Sequence, residues 1–194
     1  MDIFTDEKNL NDEQLAVLSL EDQIAFSILV NRYKDKIFNY IKRISSFSDE
    51  DVRDILQEVF LKVYLNLNDF DKNLKFSSWI YSIARNQVIS SYRKFKVRPE
   101  SKSVVIDENI IKKFVFDFNI ENEIDNKLTN KIIFDVFNSI KPKWKEILIL
   151  KFFEEKDYNE ISDIILKPVG TVASMMNKAK KEFKKTYQEK YINY

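Results

Sequence analysis

The stretch DIILKPVGTVASMMNKAKKEFKK, Asp163 to Lys185, contains the only glycine among 194 residues, set between a proline and a helical pattern that turns basic. Upstream of the turn, Tyr158, Ile161 and Ile164 recur at helical spacing over about 157–165. Downstream, Val172, Met176, Ala179 and Phe183 do the same over about 168–189, with Pro168 at the start, where its fixed φ and missing N–H suit a first helical turn. Two short helices joined by a tight turn form the helix-turn-helix layout. The outward face of the second helix holds Gly170, Thr171, Ser174, Asn177, Lys178 and Lys181. A helix N-terminus offers free N–H groups and a favourable dipole to an anion, and a residue without Cβ lets a phosphate come close, which gives Gly170 a physical reason.

Composition bounds the rest of the chain. With 44% hydrophobic and 32% charged residues, one Gly and three Pro, it reads as helices joined by short polar connections, an all-α protein of one or two small domains. Cys and His are both absent, which excludes disulfides, thiolate metal sites and the commonest general base. A single Gly excludes the Walker loop and the dinucleotide fingerprint. No run of roughly 18 apolar residues is present, and the acidic start MDIFTDEKN lacks the basic and apolar regions of a signal peptide, so a cytoplasmic location without membrane insertion is expected. Carboxylate groups such as Asp49, Glu50, Asp51 and Asp54 span different helix faces, so a capped, solvated helix start is expected there and no metal site.

The net charge of +1 hides an uneven distribution. Acidic residues gather in the N-terminal tail and over about 103–135. Arg85, Arg93, Lys94, Lys96, Arg98 and Lys102 form one basic run, and Lys178, Lys180, Lys181, Lys184, Lys185 and Lys190 another. Two separated basic surfaces suggest a polyanion touched at two places, against the plainer reading of solvated lysine-rich faces.

Ser19 with Asp22 resembles a capping box, and Phe26, Val30, Tyr33, Ile37, Tyr40 and Ile44 follow at helical spacing, predicting a helix over about 21–45. A second helix is expected from Ser48, capped with Asp51, with Val52, Ile55, Leu56, Val59, Phe60 and Val63 inward. After the turn-rich Asn68–Ser78, Trp79, Ile80, Ile83 and Gln87 restart the period in a third helix, which Pro99 brings to an end at Arg98. The phase of Trp79 with Phe76, Ile80 and Ile83 favours a core role over a stacking platform. Residues 1–20 read as a tail, acidic and with Leu15, Val17, Leu18 and Leu20 suited to packing on the domain at 21–98 or on a regulator. Residues 99–125 read as a linker whose apolar patches, Val104–Ile106 and Phe114–Phe118, need a cover. Residues 126–194 form the second domain, with Leu128, Ile132, Val136 and Phe137 on one helix and Pro142 opening another through Ile147, Leu148, Lys151 and Phe152.

DILQEVFLKVY, Asp54 to Tyr64, followed by FSSWIYSIARNQVISSYRK, Phe76 to Lys94, resembles region two of bacterial RNA polymerase sigma factors of the extracytoplasmic-function (ECF) class. YNEISDIILKPVGTVASMMNKAKKEF, Tyr158 to Phe183, resembles region four. The resemblance implies two helical domains, a three-helix region two and a helix-turn-helix region four, and a non-catalytic initiation subunit that directs core polymerase to promoters. It implies docking on the polymerase core, the β′ clamp helices meeting Asp54, Gln57, Glu58 and Leu61, with the β subunit a further partner. It further implies capture of a flipped base of the −10 non-template strand by the loop at about Asp69–Lys75 and the outer face of the third helix, with Lys72, Asn73, Lys75, Arg85, Asn86, Arg93 and Lys94 in contact. In the −35 major groove it places Gly170, Thr171, Ser174, Asn177, Lys178 and Lys181, the lysines on phosphates and Ser174 and Asn177 at base edges. An anti-sigma factor is a further partner of many such proteins.

Three departures from the family pattern stand out. Ala173 and Met175 replace basic residues just inside the last helix, which weakens the phosphate contribution to −35 binding. Leu166 stands where the turn usually has Gly, which calls for a different turn geometry or local strain. Ser90 stands where an Asp is common. Two alternatives remain open to the sequence: a sigma-like decoy that binds polymerase without selecting promoters, and a free-standing helix-turn-helix regulator, which needs a dimer interface.

Overall fold

A computed structural model describes residues 9–95 and 126–191. The chain divides into two compact units, one of Met1–Pro99 with Asp163–Leu166 and one of Glu100–Ser162 with Lys167–Tyr194. Among the described residues the secondary structure is helical throughout: α1 Asp12–Leu18, α2 Gln23–Ile44, α3 Asp49–Leu65, a 3₁₀ turn Leu67–Asp69, α4 Phe76–Phe95, α5 Asn126–Ser139, α6 Pro142–Leu148 running on as a π-turn Ile149–Phe153, α7 Tyr158–Ile165 and α8 Val169–Tyr191. None of these helices is long and apolar enough to cross a membrane.

In the first unit α3 packs on α2 and α4, and α1 lies against α2 and α4. The buried stripe of α2 is Ala25, Leu29, Tyr33, Ile37, Tyr40 and Ile41, a shift around the helix that leaves Phe26, Val30 and Ile44 only half-buried. Residues one position either side of a stripe share its apolar character, so phase alone does not separate them. Helix α3 opens on the expected Ser48–Asp51 capping box and buries Val52, Ile55, Val59 and Val63. Leu56 and Phe60 sit at the edge of that stripe.

Two expectations are corrected here. The capping box of Ser19 and Asp22 does not form: Ser19 ends α1, its hydroxyl donating to the Leu15 carbonyl at 2.6 Å, and Asp22 caps α2 alone by accepting from the Ile24 N–H at 2.7 Å. The sequence signal was blurred because the C-cap of one helix and the N-cap of the next are only three residues apart. Nor is the stretch to residue 20 merely a tail on a three-helix domain, since α1 adds a fourth helix, with its own Asn11–Gln14 capping box and with Leu15 and Ala16 buried. The end of the third helix at Arg98, the apolar patches Val104–Ile106 and Phe114–Phe118, and the side chain of Leu128 lie outside the described residues.

In the second unit α8 packs on α5 and α6. Val172, Met176, Ala179 and Phe183 are all fully buried, as their spacing predicts. Phe183 meets Phe137 edge-on with centroids 5.3 Å apart, and Phe153 closes on Phe137 from another side at 5.6 Å. Pro142 takes the first turn of α6. A reciprocal cap opens α7, the Asp157 carboxylate accepting from the Glu160 N–H at 2.8 Å and Glu160 accepting from the Asp157 N–H at 3.1 Å.

Candidate nucleic-acid interfaces

The turn between α7 and α8 places Leu166 at φ 53°, in the left-handed region. The Lys167 N–H reaches back to the Ser162 carbonyl at 3.1 Å, and the Ser162 hydroxyl donates to the Lys167 carbonyl. This is a Schellman-type closure, which favours glycine because an L side chain in that region crowds its own backbone. Leu166 satisfies the geometry with strain and with a side chain 72% exposed. The turn is therefore retained with a non-glycine residue, at a cost of about 1 kcal/mol.

Beyond the turn, Gly170, Thr171, Ser174, Asn177, Lys178 and Lys181 are all exposed. They lie on the side of α8 opposite Val172, Met176, Ala179 and Phe183, because both sets follow the helical repeat and differ by half a turn. Gly170 has ordinary helical backbone, and a Cβ built there meets nothing within 4 Å. The fold thus leaves this position open, and its small size matters only to something approaching from outside. Of the basic run, Lys178, Lys181 and Lys184 are exposed. Lys180 lies over the Phe152 ring at 5.4 Å, Lys185 pairs with Glu189 at 3.6 Å and Lys190 with Asp135 at 2.7 Å. Ala173 and Met175 flank the exposed stripe and are half-buried.

In the first unit, a cleft of about 330 Å³ is lined by Lys62 of α3 and Asn66 at its C-cap, Asp69 of the 3₁₀ turn, and Trp79, Ile83 and Asn86 of α4. Trp79 serves two ends. One face of its ring packs among Phe70 and Phe76, with centroids 5.2 and 5.8 Å away, and the half-buried remainder forms a wall of the cleft. The core role expected for it is present but does not exhaust it. From Trp79, the positions Ile83, Asn86, Ser90 and Arg93 continue one stripe along α4, and Lys94 flanks it. Asn86, Arg93 and Lys94 are exposed on this side.

The other residues assigned to the −10 strand are not gathered with them. Arg85 is half-buried and turned about 100° around α4 from Asn86. Lys72 lines a separate groove against α1. Asn73 is held in the loop, where Asp71 accepts from both its backbone N–H and its side-chain amide at 2.9 Å. Lys75 is exposed at the start of α4. Lys62 and Asn66 were missed by sequence reading. They come from the end of α3, and only the tertiary pairing of α3 with α4 brings them to Trp79.

Asp54, Gln57, Glu58 and Leu61 are all exposed on α3. Leu65 and Tyr64, 65% and 45% exposed, extend that apolar face beyond Leu61. The signal for Leu65 was its i+4 spacing from Leu61, out of phase with the buried stripe. The Glu58 carboxylate accepts from the side-chain amide of Gln87, whose own oxygen accepts from Lys62. Gln87 is 1% exposed, so a buried polar group on α4 is satisfied by two charged residues of α3.

Family models described as Sigma-70 region 2 and Sigma-70, region 4 match residues 29–97 and 132–183. The two matches, in this order, define a sigma-70-type protein. ECF RNA polymerase sigma factor SigW of Bacillus subtilis is similar at 31% identity over 179 residues, covering 87% of this chain and 91% of the relative. The ECF RNA polymerase sigma-E factor of Escherichia coli is 31% identical over 166 residues, covering 82% and 84%. Two solved structures share the fold. One is CnrH in complex with the cytosolic domain of CnrY, at a TM-score of 0.66 and 18% identity, covering 92% of this chain and 98% of that one. The other is the sigma factor RpoE from Bartonella quintana in complex with the anti-sigma factor NepR, at 0.63 and 17%, covering 85% and 98%. The chain belongs to the ECF class of RNA polymerase sigma factors: it is an alternative sigma factor that binds RNA polymerase and promoter DNA and directs promoter recognition and transcription initiation.

Proposed function

We propose that three surfaces divide this work. The exposed face of α3, Asp54, Gln57, Glu58, Leu61 and Leu65, docks on the polymerase core, its leucines supplying apolar area and its acids selecting a basic partner. The cleft around Trp79 takes an unstacked base of the −10 non-template strand. Its volume of about 330 Å³ suits a planar heterocycle. Trp79 offers a stacking face, Asn86 both donates and accepts, and Asp69 accepts, so a base edge is read there while Lys62, Arg93 and Lys94 meet phosphates. The α8 stripe enters the −35 major groove, with Ser174 and Asn177 at base edges, Lys178 and Lys181 on phosphates, and Gly170 and Thr171 at the close approach of the helix N-terminus to the backbone. Lys72, Asn73, Lys75 and Arg85 act at the margin of the cleft, outside the base pocket.

The observation that carries this reading is the separation of each polar reading face from the packed face of its helix, clearest on α8. Strand opening is driven by binding energy alone, and the chain performs no chemistry of its own. It works in the cytoplasm, where polymerase and DNA are. An anti-sigma factor is a further partner, a reading supported by the relative solved with NepR. Purified core polymerase with and without the protein, on restriction fragments of host DNA, tests the reading: discrete new start sites lost on Asn86→Ala or Lys178→Ala support it. Core binding without new starts favours the decoy.

A further inference from the structure

We propose that α1 is a strut that sets the −10 reading loop, with Glu13 and Asp12 as positioning residues; the inference rests on the assignment of the Trp79 cleft to the −10 strand. The loop Asp71–Lys75 delivers the chain into α4 at Phe76. The first N–H of that helix is bound by a group from 63 positions earlier: the Glu13 carboxylate accepts from the Phe76 N–H at 2.9 Å. A carboxylate at a helix N-terminus both satisfies a donor with no intrahelical partner and complements the dipole.

Its neighbour Asp12, in the same first turn, anchors α1 to α2. One oxygen pairs with Arg32 at 2.6 Å, and the other accepts from the Tyr33 hydroxyl. The Tyr33 ring in turn meets Phe76 edge-on at 5.4 Å, and Phe76 packs on Phe70 and Trp79. Burial, and then the Asp12 carboxylate, hold the Tyr33 phenol well above its ordinary pKa, so this donor stays protonated throughout the physiological range. Two consecutive acids of α1 thus grip α2 and the first residue of α4, and Phe76 passes the constraint on to the wall of the cleft. α1 also borders a groove of about 490 Å³ whose lining includes Lys72 of the loop. Hence α1 shares a groove with the loop, binds the start of α4 and, through one aromatic ring, bears on the stacking residue.

The test uses holoenzyme assembled from core polymerase and the full chain. It measures three affinities: for core, for a −35 duplex, and for a single-stranded oligonucleotide carrying the non-template −10 sequence of a mapped promoter. Glu13→Ala is expected to weaken the single-strand affinity roughly tenfold, the lower end of the factor for one hydrogen bond to a charged group, and to leave the other two unchanged. Glu13→Gln, which keeps an acceptor, is expected to restore much of the loss. Amide hydrogen exchange at Phe76–Ser78 should rise in Glu13→Ala ahead of the rest of the first unit. Asn86→Ala is the control for the underlying assignment. If Asn86→Ala weakens strand binding and Glu13→Ala does not, the strut is overturned and the cleft stands. If neither does, the cleft assignment fails and the strut with it. Equal losses in all three affinities for both Glu13 variants also overturn it, because general support of the fold then accounts for Glu13.

Discussion

The two surfaces proposed to meet DNA are built on different plans. On α8 one helix carries everything: buried residues on one side, the proposed reading residues on the other, both fixed by the same repeat. The cleft of the first unit is a composite in which α3, the 3₁₀ turn and α4 each contribute a wall, and α1 caps the start of α4 from 63 residues away. A single-helix surface fails only with its helix, whereas a composite one also fails when a supporting contact is lost.

The largest effect expected from this contrast is on stability. Phe183 is fully buried and packs on Phe137, so Phe183→Ala should destabilise the second unit by about 3–5 kcal/mol. Thermal unfolding followed by calorimetry should show that loss, along with lost −35 duplex binding, while −10 single-strand binding persists. Next comes the face of α3 proposed to dock on polymerase, where Leu61 and Leu65 are 57% and 65% exposed and so contribute little to folding. Leu61→Asp with Leu65→Asp should weaken core binding by more than tenfold, about 1.4 kcal/mol or more, in a titration of labelled core, with the melting temperature nearly unchanged.

Lys178 and Lys181 sharpen the comparison electrostatically. Removing both should lower the slope of log affinity against log salt for −35 duplex by roughly 1.8, or about 0.9 for each phosphate contact. Leu166→Gly should do the reverse of harm: it relieves left-handed strain and should stabilise the α7–α8 turn by about 1 kcal/mol, visible as a higher midpoint in urea unfolding. The smallest effect is at high pH. Tyr191 donates to Asp135 at 2.8 Å, and burial together with that carboxylate pushes its pKa up from 10.0 to about 12. The folded state then holds its proton more tightly than the unfolded state, so the contribution is whole below pH 10.0 and is lost as pH rises through about 12. Tyr191→Phe should flatten that decline when the two proteins are melted side by side across the window.

The same contrast explains what could be read from the sequence. Val172, Met176, Ala179 and Phe183 stated their burial by spacing alone, and their exposed counterparts followed by subtraction. The Leu166 anomaly was also legible, through the family resemblance, which puts Gly at that place in the turn. The cleft was not. Lys62 and Asn66 look like ordinary surface residues at the end of a helix, and their role exists only once α3 is paired with α4. Trp79 was read by phase as a core residue, and its second face at the cleft is invisible to a rule that sorts each position as inside or outside. Glu13 is the extreme case: an acid in a segment read as a tail acquires its partner across 63 residues, a distance over which no local pattern carries information.

The central claim is that promoter choice comes from two physically separate reading faces acting with polymerase. Its most direct measurement is start-site mapping by core polymerase on host DNA fragments, comparing the natural chain with Asn86→Ala and Lys178→Ala. The account predicts discrete new starts sharing one −10 and one −35 sequence, with substitutions in the −10 sequence tolerated less well by the natural chain than by Asn86→Ala, and the corresponding pattern at −35 for Lys178→Ala limited to a uniform loss. Core binding with no new starts, or starts indifferent to both substitutions, would contradict it.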